Sequence, residues 1–299
     1  MWEADLDEVI GVSQAAYSRP IYRVKWLWPV LLVLMGLVLG AVLTNIFPRV
    51  VRPYIPDGEF YALGAVIGVI ASWLGLGGSI LLVPILLNVP GSPLTAHQIT
   101  GTGAIQSMAT ALMGFLSYRH QNLVQWSISW RMALIGTLGA ALGAMLSTHW
   151  HGNGIGVAFG GVSLLAALSL IFPRELRVPK IFGGALYGVT LLIGIMGGIT
   201  GTPGAFILTP MMLIFTGRPL KQCLGTVLGP VFVMALVSSV IKLHAHQIAW
   251  TPTGMLLAGG IPAAWVGPQL ATITPARWLR FGLVTAILGA TALTIAHTV

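Results

Sequence analysis

Two short glycine-rich segments contain the residues of this chain whose types and spacing are best suited to binding chemistry. The first is GLGGS at residues 75–79, and the second is GTPGA at residues 201–205. Glycine lets the backbone approach a ligand closely, and a helix that begins at such a segment presents unpaired N–H groups in its first turn. These groups and the helix dipole favour negative charge, so both segments are candidate anion-binding sites.

Neighbouring side chains could complete a neutral hydrogen-bonding cage around an anion. In the second segment we predict Thr202 as the N-cap and Pro203 as the first helical residue. Thr102 and Thr226 open the helices that follow the two segments, and Gln106 lies one turn beyond Thr102 on the same face. The candidate substrate-binding residues are Gly77, Gly78, Ser79, Thr102, Gln106, Gly201, Thr202, Pro203, Gly204, Ala205 and Thr226.

A structural alternative stays open for these residues. Glycines can serve close helix packing alone, as we expect for the GxxxG pairs Gly36/Gly40, Gly64/Gly68 and Gly139/Gly143. Threonine hydroxyls can bond to carbonyls of their own helix. The sequence predicts no catalytic residue, no metal site and no cofactor.

The apolar stretch around the first segment determines how that segment must be positioned. Residues 61–90 contain no charge and are interrupted at residues 75–79. About 20 residues cross a bilayer core as a helix, so two complete crossings need about 40. Two half-length helices that meet at a glycine-rich tip fit this length. Unpaired backbone at membrane depth is tolerated where protein or water surrounds it, so we expect the tip in the interior.

The composition is typical of a polytopic helical membrane protein. Only 7% of the 299 residues are charged, 56% are hydrophobic, and long uncharged runs recur along the chain. The net charge of +8 does not indicate nucleic-acid binding, because the basic residues lie singly or in small groups between apolar runs. The single cysteine, Cys223, excludes an internal disulfide. Residues 27–47 are too long for a signal-peptide core and predict a retained first helix.

The acidic residues argue against a cation as the substrate. All seven lie in the termini or links: Glu3, Asp5, Asp7, Glu8, Asp57, Glu59 and Glu175. A cation inside the membrane would lack its usual counter-charge, whereas an anion would meet no repulsion. An intramembrane serine hydrolase built on Ser79 lacks an obvious oriented partner, because the predicted spans contain no histidine except His97, near a helix start, and no acid to orient it. We therefore expect a protein that is not an enzyme.

The chain also repeats itself. GLGGSILLVP at residues 75–84 aligns with GTPGAFILTP at residues 201–210, at an offset of 126. Further aligned pairs are Pro93 with Pro219 at the same offset, and Gly101 with Gly225, Thr102 with Thr226, Trp126 with Trp250 and Gly143 with Gly267 at an offset of 124. Internal duplication is common in secondary transporters. We predict an N-terminal tail and extra helix at residues 1–52, a first repeat at 53–176 and a second at 177–299.

The positions of the basic residues predict how the two repeats are oriented. If both broken segments are re-entrant hairpins, twelve of the fifteen Lys and Arg residues lie on the cytoplasmic side, and Arg49, Arg52 and Lys242 lie outside. If every segment spans instead, seven of these basic residues lie on one side of the membrane and eight on the other, which is no bias. A repeat of one hairpin and three spanning helices crosses the membrane three times, so the second repeat begins on the opposite side and is inverted. The predicted fold is an all-α polytopic membrane protein with two inverted repeats, each one re-entrant helical hairpin plus three transmembrane helices, and an extra N-terminal helix whose N-terminus is cytoplasmic.

Lys242 and the two histidine pairs, near the predicted outer face, have two interpretations each. Lys242 could attract or receive an anion, or it could snorkel to the surface, which is the commoner behaviour. The H-x-H pairs at residues 149–151 and 244–246 could bind a metal or sense pH, but exposed loop histidines are the default. Trp126 and Trp250 are typical of interfacial aromatic residues.

At residues 60–296 the chain resembles the TauE/SafE family of sulfite and organosulfonate exporters. That family has two related units, each with a G-x-G-G-G-like stretch that runs into V-P and is followed by a helix with alanine and Gly-Thr. The matching residues are Gly75, Gly77, Gly78, Val83, Pro84, Ala96, Gly101 and Thr102, then Gly201, Gly204, Pro210, Gly225 and Thr226. Ser79, Thr202 and Pro203 depart from the pattern. The resemblance implies transport of small sulfur-containing anions, such as sulfite or sulfoacetate, across a bacterial inner membrane.

Two further functions remain compatible with the sequence. A channel or uniporter would carry the same anions without alternating access, and a membrane assembly protein would carry none. The expected partners are a small sulfur anion and the lipid bilayer, with no nucleic acid, and the sequence does not determine the oligomeric state. Flux of substrate into sealed vesicles separates a transporter or channel from an assembly protein or an enzyme.

The re-entrant topology makes a testable prediction about residues 57 and 92. Single cysteines introduced as Asp57→Cys and Ser92→Cys, in a protein whose Cys223 is replaced by Ser, should react with an impermeant thiol reagent from the same side of the membrane. Asn122→Cys, beside a predicted cytoplasmic arginine, should react from the opposite side. Labelling of positions 57 and 92 from opposite sides would show that the first broken segment spans.

Overall fold

The computed structural model describes residues 57–88, 94–148 and 183–298. Three sequence predictions lie outside these residues: the first helix at 27–47, the domain boundary after residue 52 and the pair Gly36/Gly40. The same holds for the histidine pair at residues 149–151. Within the described residues the chain is all-helical, with nine helices and no strand.

Within each described range the helices follow one another with short connections. They are α1 Asp57–Trp73, α2 Ser79–Leu87, α3 Ala96–His120, α4 Trp126–Ser147, α5 Gly183–Thr200, α6 Ala205–Thr216, α7 Leu220–His244, α8 Trp250–Ile273 and α9 Ala276–Thr298. By length and composition, four of them can cross a membrane: α4, α7, α8 and the part of α9 at Ala276–Leu293. Helix α3 has 25 residues and carries buried polar side chains along most of its length. The described part of the chain is therefore that of a multi-pass membrane protein.

Each broken segment consists of two helices joined at a glycine-rich tip, as predicted, but the first helix of each, with 17 and 18 residues, is longer than the predicted half-length. Helix α1 ends at Trp73 and α2 begins at Ser79, while α5 ends at Thr200 and α6 begins at Ala205. We call residues 74–79 the first tip and residues 201–205 the second tip. Pro84 lies within α2 and Pro210 within α6. Each proline frees a carbonyl one turn earlier, so both second half-helices carry the same interruption.

Helices α1 and α8 pack closely, and so do α4 and α5. A methyl group added at Gly64, Gly68, Gly139 or Gly143 would collide with backbone of the facing helix, at Leu256, Gly260, Leu191 and Ile195 respectively. Small residues allow this approach, which the sequence predicted for these two GxxxG pairs. Each first half-helix thus packs against a span from the other half of the chain.

The close approaches recur at the offsets of the sequence repeat. Gly68 faces Gly260, and Gly194 faces Gly136. Gly194 follows Gly68 by 126 positions, and Gly260 follows Gly136 by 124, so the two contacts are equivalent. The equivalent helices α3 and α7 run antiparallel, since an early residue of α3, Gly101, lies against Gln247, which follows α7. A late residue of α3, Gly114, lies against Leu228 near the start of α7. This antiparallel pair brings both tips to the middle of the described structure.

Gly267 of α8 tests the importance of this packing. A methyl group there would collide with Ser72 Oγ and the backbone nitrogen of Trp73, next to the first tip, so Gly267→Ala should lower the free energy of unfolding by about 1–3 kcal/mol. Gly254 of the same helix has open space around it. The control Gly254→Ala should keep or raise stability because alanine favours helix. Thermal unfolding in detergent measures both variants, and equal stabilities would contradict this role of Gly267.

Candidate functional site

Ser107 of α3 holds the first tip in place. The Ser79 N–H donates to Ser107 Oγ at 3.1 Å, and Ser107 Oγ donates to the Gly77 carbonyl at 3.0 Å. The hydroxyls of Ser79 and Ser107 are 2.6 Å apart. Ser107 has one hydroxyl proton, which goes to Gly77, so the Ser79 hydroxyl is the donor between them. One serine thus fixes three polar groups of the tip to the middle of α3.

The first tip keeps backbone N–H groups that nothing in the described residues accepts. Gly78 is the N-cap of α2 and makes no side-chain cap hydrogen bond. The N–H groups of Ile80 and Leu81, in the first turn of α2, have no hydrogen-bond partner in the described part of the chain. Gly77 and Gly78 have φ angles of 77° and 22°, which favour glycine. These free donors lie among buried residues, where a bound anion would satisfy them.

The second tip has a similar helix start but a different cap from the one predicted. Helix α6 begins at Ala205 with Gly204 as its N-cap in the left-handed conformation, so the assignment of Thr202 as N-cap and Pro203 as first helical residue is wrong. The Thr202 hydroxyl is instead 2.6 Å from that of Thr200. Pro203 packs against Gly197 of α5. Gly204 adopts φ 73°, a left-handed conformation that glycine accommodates, and the helix starts at the next residue, two positions after the proline.

The two tips lie next to each other, and both pack against α3. A methyl group at Gly77 would lie 3.5 Å from Ala205 Cβ and 3.2 Å from Val231 Cγ1 of α7. A methyl group at Gly103 of α3 would lie 3.3 Å from Ser79 Cβ and 3.6 Å from the Gly201 carbonyl oxygen. The structure therefore brings the predicted residues of both tips to one place, between α3 and α7.

Gln106 is the most unusual polar residue next to the tips. Its side chain is completely buried, and neither Nε2 nor Oε1 has a hydrogen-bond partner within the described residues. A methyl group at Gly78 would lie 3.2 Å from Gln106 Cγ, and one at Gly260 of α8 would collide with its Nε2. An unpartnered buried amide is costly, because its hydrogen bonds to water are lost without replacement. A ligand beside the first tip would repay that cost.

Thr102 and Thr226 were predicted to open α3 and α7, but each is the seventh residue of its helix, and each has another hydrogen-bond partner. The Thr102 hydroxyl is 3.0 Å from the Thr253 hydroxyl of α8. Thr226 Oγ1 accepts a hydrogen bond of 3.0 Å from the N–H of Gln125, the N-cap of α4. Thr102 thus shares the α8 side of α3 with Gln106, as the predicted common face requires. Thr226 stabilises the start of α4, and its hydrogen bond does not connect it to either tip.

Three polar residues of α3 that contact the tips were not predicted from the sequence: Thr100, Ser107 and Thr110. The Thr100 carbonyl lies against Gly201, and a methyl group at Gly78 would lie 2.8 Å from Thr110 Oγ1. A signal was present, because small or polar residues recur at positions 100, 103, 107, 110 and 114, which lie on one helical face. Polar and glycine residues on one face of a membrane helix indicate contact with protein or ligand rather than lipid.

Lys242 does not snorkel to the surface. It is completely buried, and its Nζ donates to Thr100 Oγ1 and to Ser147 Oγ, each at 3.1 Å. Cys223 is buried as well. Among the described residues, no group of three or more His, Cys, Asp or Glu residues could hold a metal ion. The polar groups around the tips are hydroxyls, amides and one ammonium group.

Long apolar helices and two interrupted helices whose tips meet in the interior are the construction of a multi-pass membrane transporter. A family model described as Sulfite exporter TauE/SafE matches residues 60–294. The chain belongs to this family of membrane transporters.

Curated relatives agree with this assignment. A probable membrane transporter protein of Xylella fastidiosa (strain 9a5c) is 27% identical over 216 residues, which cover 70% of this chain and 82% of the relative. The probable membrane transporter proteins YunE and YjnA of Bacillus subtilis (strain 168) are 24% identical over 234 residues and 25% identical over 246 residues. These matches cover 70% and 76% of this chain, and 84% and 94% of the relatives. No solved structure matches the chain.

The hydrogen bonds of Ser107 generate a prediction about the order of the first tip. Ser107→Ala removes the acceptor for the Ser79 N–H and the donor to the Gly77 carbonyl, so amide hydrogen exchange at residues 77–80 should become faster. Ser72 is a suitable control, because its hydroxyl donates to Gly68 and Val69 of its own helix. Ser72→Ala should leave exchange at the tip unchanged. Equal exchange in both variants would show that Ser107 does not order the tip.

Proposed function

We propose that this protein transports small sulfur-containing anions, such as sulfite, sulfoacetate or a related organosulfonate, and that the anion binds beside the two tips near the bilayer midplane. The observation that carries the proposal is the position of Gln106, a buried amide beside the start of α2. In the part of the chain that the structure describes, neither this amide nor the first N–H groups of α2 have a hydrogen-bond partner. Amide and backbone N–H groups bind a small oxyanion without needing a charged residue. These N–H donors favour an anion as the substrate, and the description of the family as sulfite exporters favours a sulfur-containing one.

The anion lies to one side of the contact between the tips. A methyl group added at Gly77 would already be in van der Waals contact with Ala205 Cβ, so the gap between the tips is too narrow for an oxyanion on the line through both of them. The proposed site is on the α8 side of α3, where Gln106, Thr102 and the first turn of α2 surround it. Residues 201–205 form the opposite wall. Thr226 is not part of this site, because its hydroxyl caps α4.

The repeats are inverted in this proposal. Equivalent helices α3 and α7 pack antiparallel, and the close glycine contacts of α1 with α8 recur between α5 and α4. A two-fold relation that reverses a membrane-crossing helix has its axis in the membrane plane, which supports two hairpins entering from opposite faces. The two helix starts then contribute positive dipole ends to one midplane region. The chain is oriented with its N-terminus cytoplasmic in a bacterial inner membrane.

A channel or uniporter for the same anions is the second candidate. The narrow gap between Gly77 and Ala205, which has room for a methyl group only, favours a transporter, because the tips must separate before an anion passes between them. Movement of one repeat against the other would open the site to each side in turn. A saturable flux that is accelerated by anion on the opposite side would distinguish a transporter from a channel.

Gln106→Leu tests the proposed site. It keeps the approximate side-chain volume but removes the amide, so sulfite binding to the purified protein and sulfite flux into proteoliposomes should both fall about tenfold or more. Leucine also removes an unsatisfied buried group, so the variant should be at least as stable as the wild type. Gln269→Leu, at an exposed position of α8, is the control and should keep both activities.

The outcome is decided by comparing stability and flux in the same preparations. Lower flux with unchanged or higher thermal stability supports the site at Gln106. Unchanged sulfite affinity in a folded Gln106→Leu variant would place the anion elsewhere. Absence of anion flux in the wild type would favour a membrane assembly role.

A further inference from the structure

Lys242 is a buried charge that the site at Gln106 does not use. It lies in the last turn of α7, and its Nζ contacts the hydroxyls of Thr100, near the start of α3, and Ser147, the last residue of α4. All three side chains are completely buried. In the described residues, neither hydrogen-bond partner of this ammonium group is a carboxylate. A buried charge is expensive without an opposite charge nearby, and inside a membrane it marks a functional site.

The two hydroxyls do not neutralise Lys242. Thr100 Oγ1 donates its proton to the His97 carbonyl, and Ser147 Oγ donates its proton to the Ala144 carbonyl. Both therefore act toward Lys242 as neutral acceptors. A lysine ammonium has three N–H donors, so one remains without a partner within the described residues.

Lys242 is also close to the second tip. The backbone carbonyl of Thr100, which bonds Lys242 through its hydroxyl, lies directly against Gly201. Thr200 and Thr202 are buried there, with their hydroxyls paired. From Thr100 to Ser107, α3 rises about 10 Å. Lys242 therefore lies about two helical turns of α3 away from the first tip, toward one end of the bundle.

The repeat provides an internal comparison for this cluster. At the offsets of 124 and 126, Lys242 and the four polar residues around it have counterparts in the other half of the chain that lack charge and are mostly aliphatic. The pairs are Lys242 with Tyr118, Thr100 with Leu224, Ser147 with Ala271, Thr200 with Leu74 and Thr202 with Leu76. Tyr118 and the four aliphatic residues are buried. The fold can thus be built with an apolar cluster at this place, so the polar set is not needed for packing.

We infer that Lys242, with Thr100 and Ser147, forms a second anion site behind the second tip, where the transported anion binds before or after it reaches Gln106. The inference rests on the proposed transport of an anion. The ligand is a small oxyanion, sulfonate or carboxylate, because one N–H donor of the Lys242 ammonium group has no partner within the described residues and the surrounding groups are neutral hydroxyls. The positive-inside argument places Lys242 on the outer side, so this site receives or releases the anion at that face.

Lys242→Met tests the inference, since methionine keeps much of the side-chain length and removes the charge. Sulfite binding to the purified protein should weaken about tenfold or more, because a charge-assisted hydrogen bond is lost. Sulfate should lose more affinity than methanesulfonate, since a dianion depends more on the missing charge. The control is Lys221→Met, which removes a charge from the same helix. Lys221 Nζ donates to the Thr272 carbonyl, and its replacement should leave anion binding unchanged.

The results separate this site from the one at Gln106. If Gln106→Leu loses sulfite binding while Lys242→Met keeps it, the site at Lys242 is wrong and the proposed function stands. If Lys242→Met loses binding while Gln106→Leu keeps it, Lys242 holds the principal site. If the wild type binds none of the three anions, both proposals fail.

A measurement on the wild type covers the case in which Lys242→Met does not fold. The protein is treated with an amine-acylating reagent with and without sulfite, and the modified lysines are quantified by mass spectrometry. Sulfite should lower the acylation of Lys242 and leave that of Lys221 unchanged. Equal acylation of Lys242 in both conditions would overturn the inference.

Discussion

The backbone polar groups of two interrupted helices are the constraint on which the rest of this structure depends. A helix that stops in the interior leaves N–H and carbonyl groups that lipid cannot satisfy. The chain answers in part with side chains of α3, where Ser107 bonds both the Ser79 N–H and the Gly77 carbonyl. Two further donors, the N–H groups of Ile80 and Leu81, and the buried amide of Gln106 have no hydrogen-bond partner within the described residues. The incomplete satisfaction of these groups is what makes the tips suitable for a ligand.

Close helix packing makes this arrangement possible. Glycines on α1 and α8, and on α4 and α5, let the first half-helices approach the spans until backbone meets backbone. The tips are thereby held between α3 and α7 rather than exposed at the side of the bundle. Packing of this kind has few intermediate positions, because a shift of a tightly packed helix must break several contacts together. The same contacts could therefore act as the surfaces along which one half moves against the other during transport.

The two halves share a backbone design but not a chemistry. The second half places Lys242 where the first has Tyr118, and Thr100 of α3 takes the position that Leu224 has in α7. The first tip is held by serine hydroxyls, whereas the second contacts α3 through the Thr100 carbonyl. An exact two-fold site would treat both sides of the membrane alike. The polar cluster on one side gives the protein a chemical difference between its two faces, which a directional exporter can use.

The sequence by itself determined the helical membrane class, the two broken helices and the duplication, because these depend on the length of apolar runs and on glycine and proline positions that recur at fixed offsets. It also determined that the described spans lack acids. Only the tertiary structure decided which polar residues meet. Ser107 reaches the tip and Thr226 caps α4 because of how α3 and α7 cross, and helix periodicity alone does not specify that crossing. The N-cap of α6 is Gly204 rather than the predicted Thr202, and the Thr202 hydroxyl pairs with that of Thr200 instead. Lys242 is buried rather than snorkelling because Thr100 and Ser147, which are distant in sequence, supply acceptors beside it.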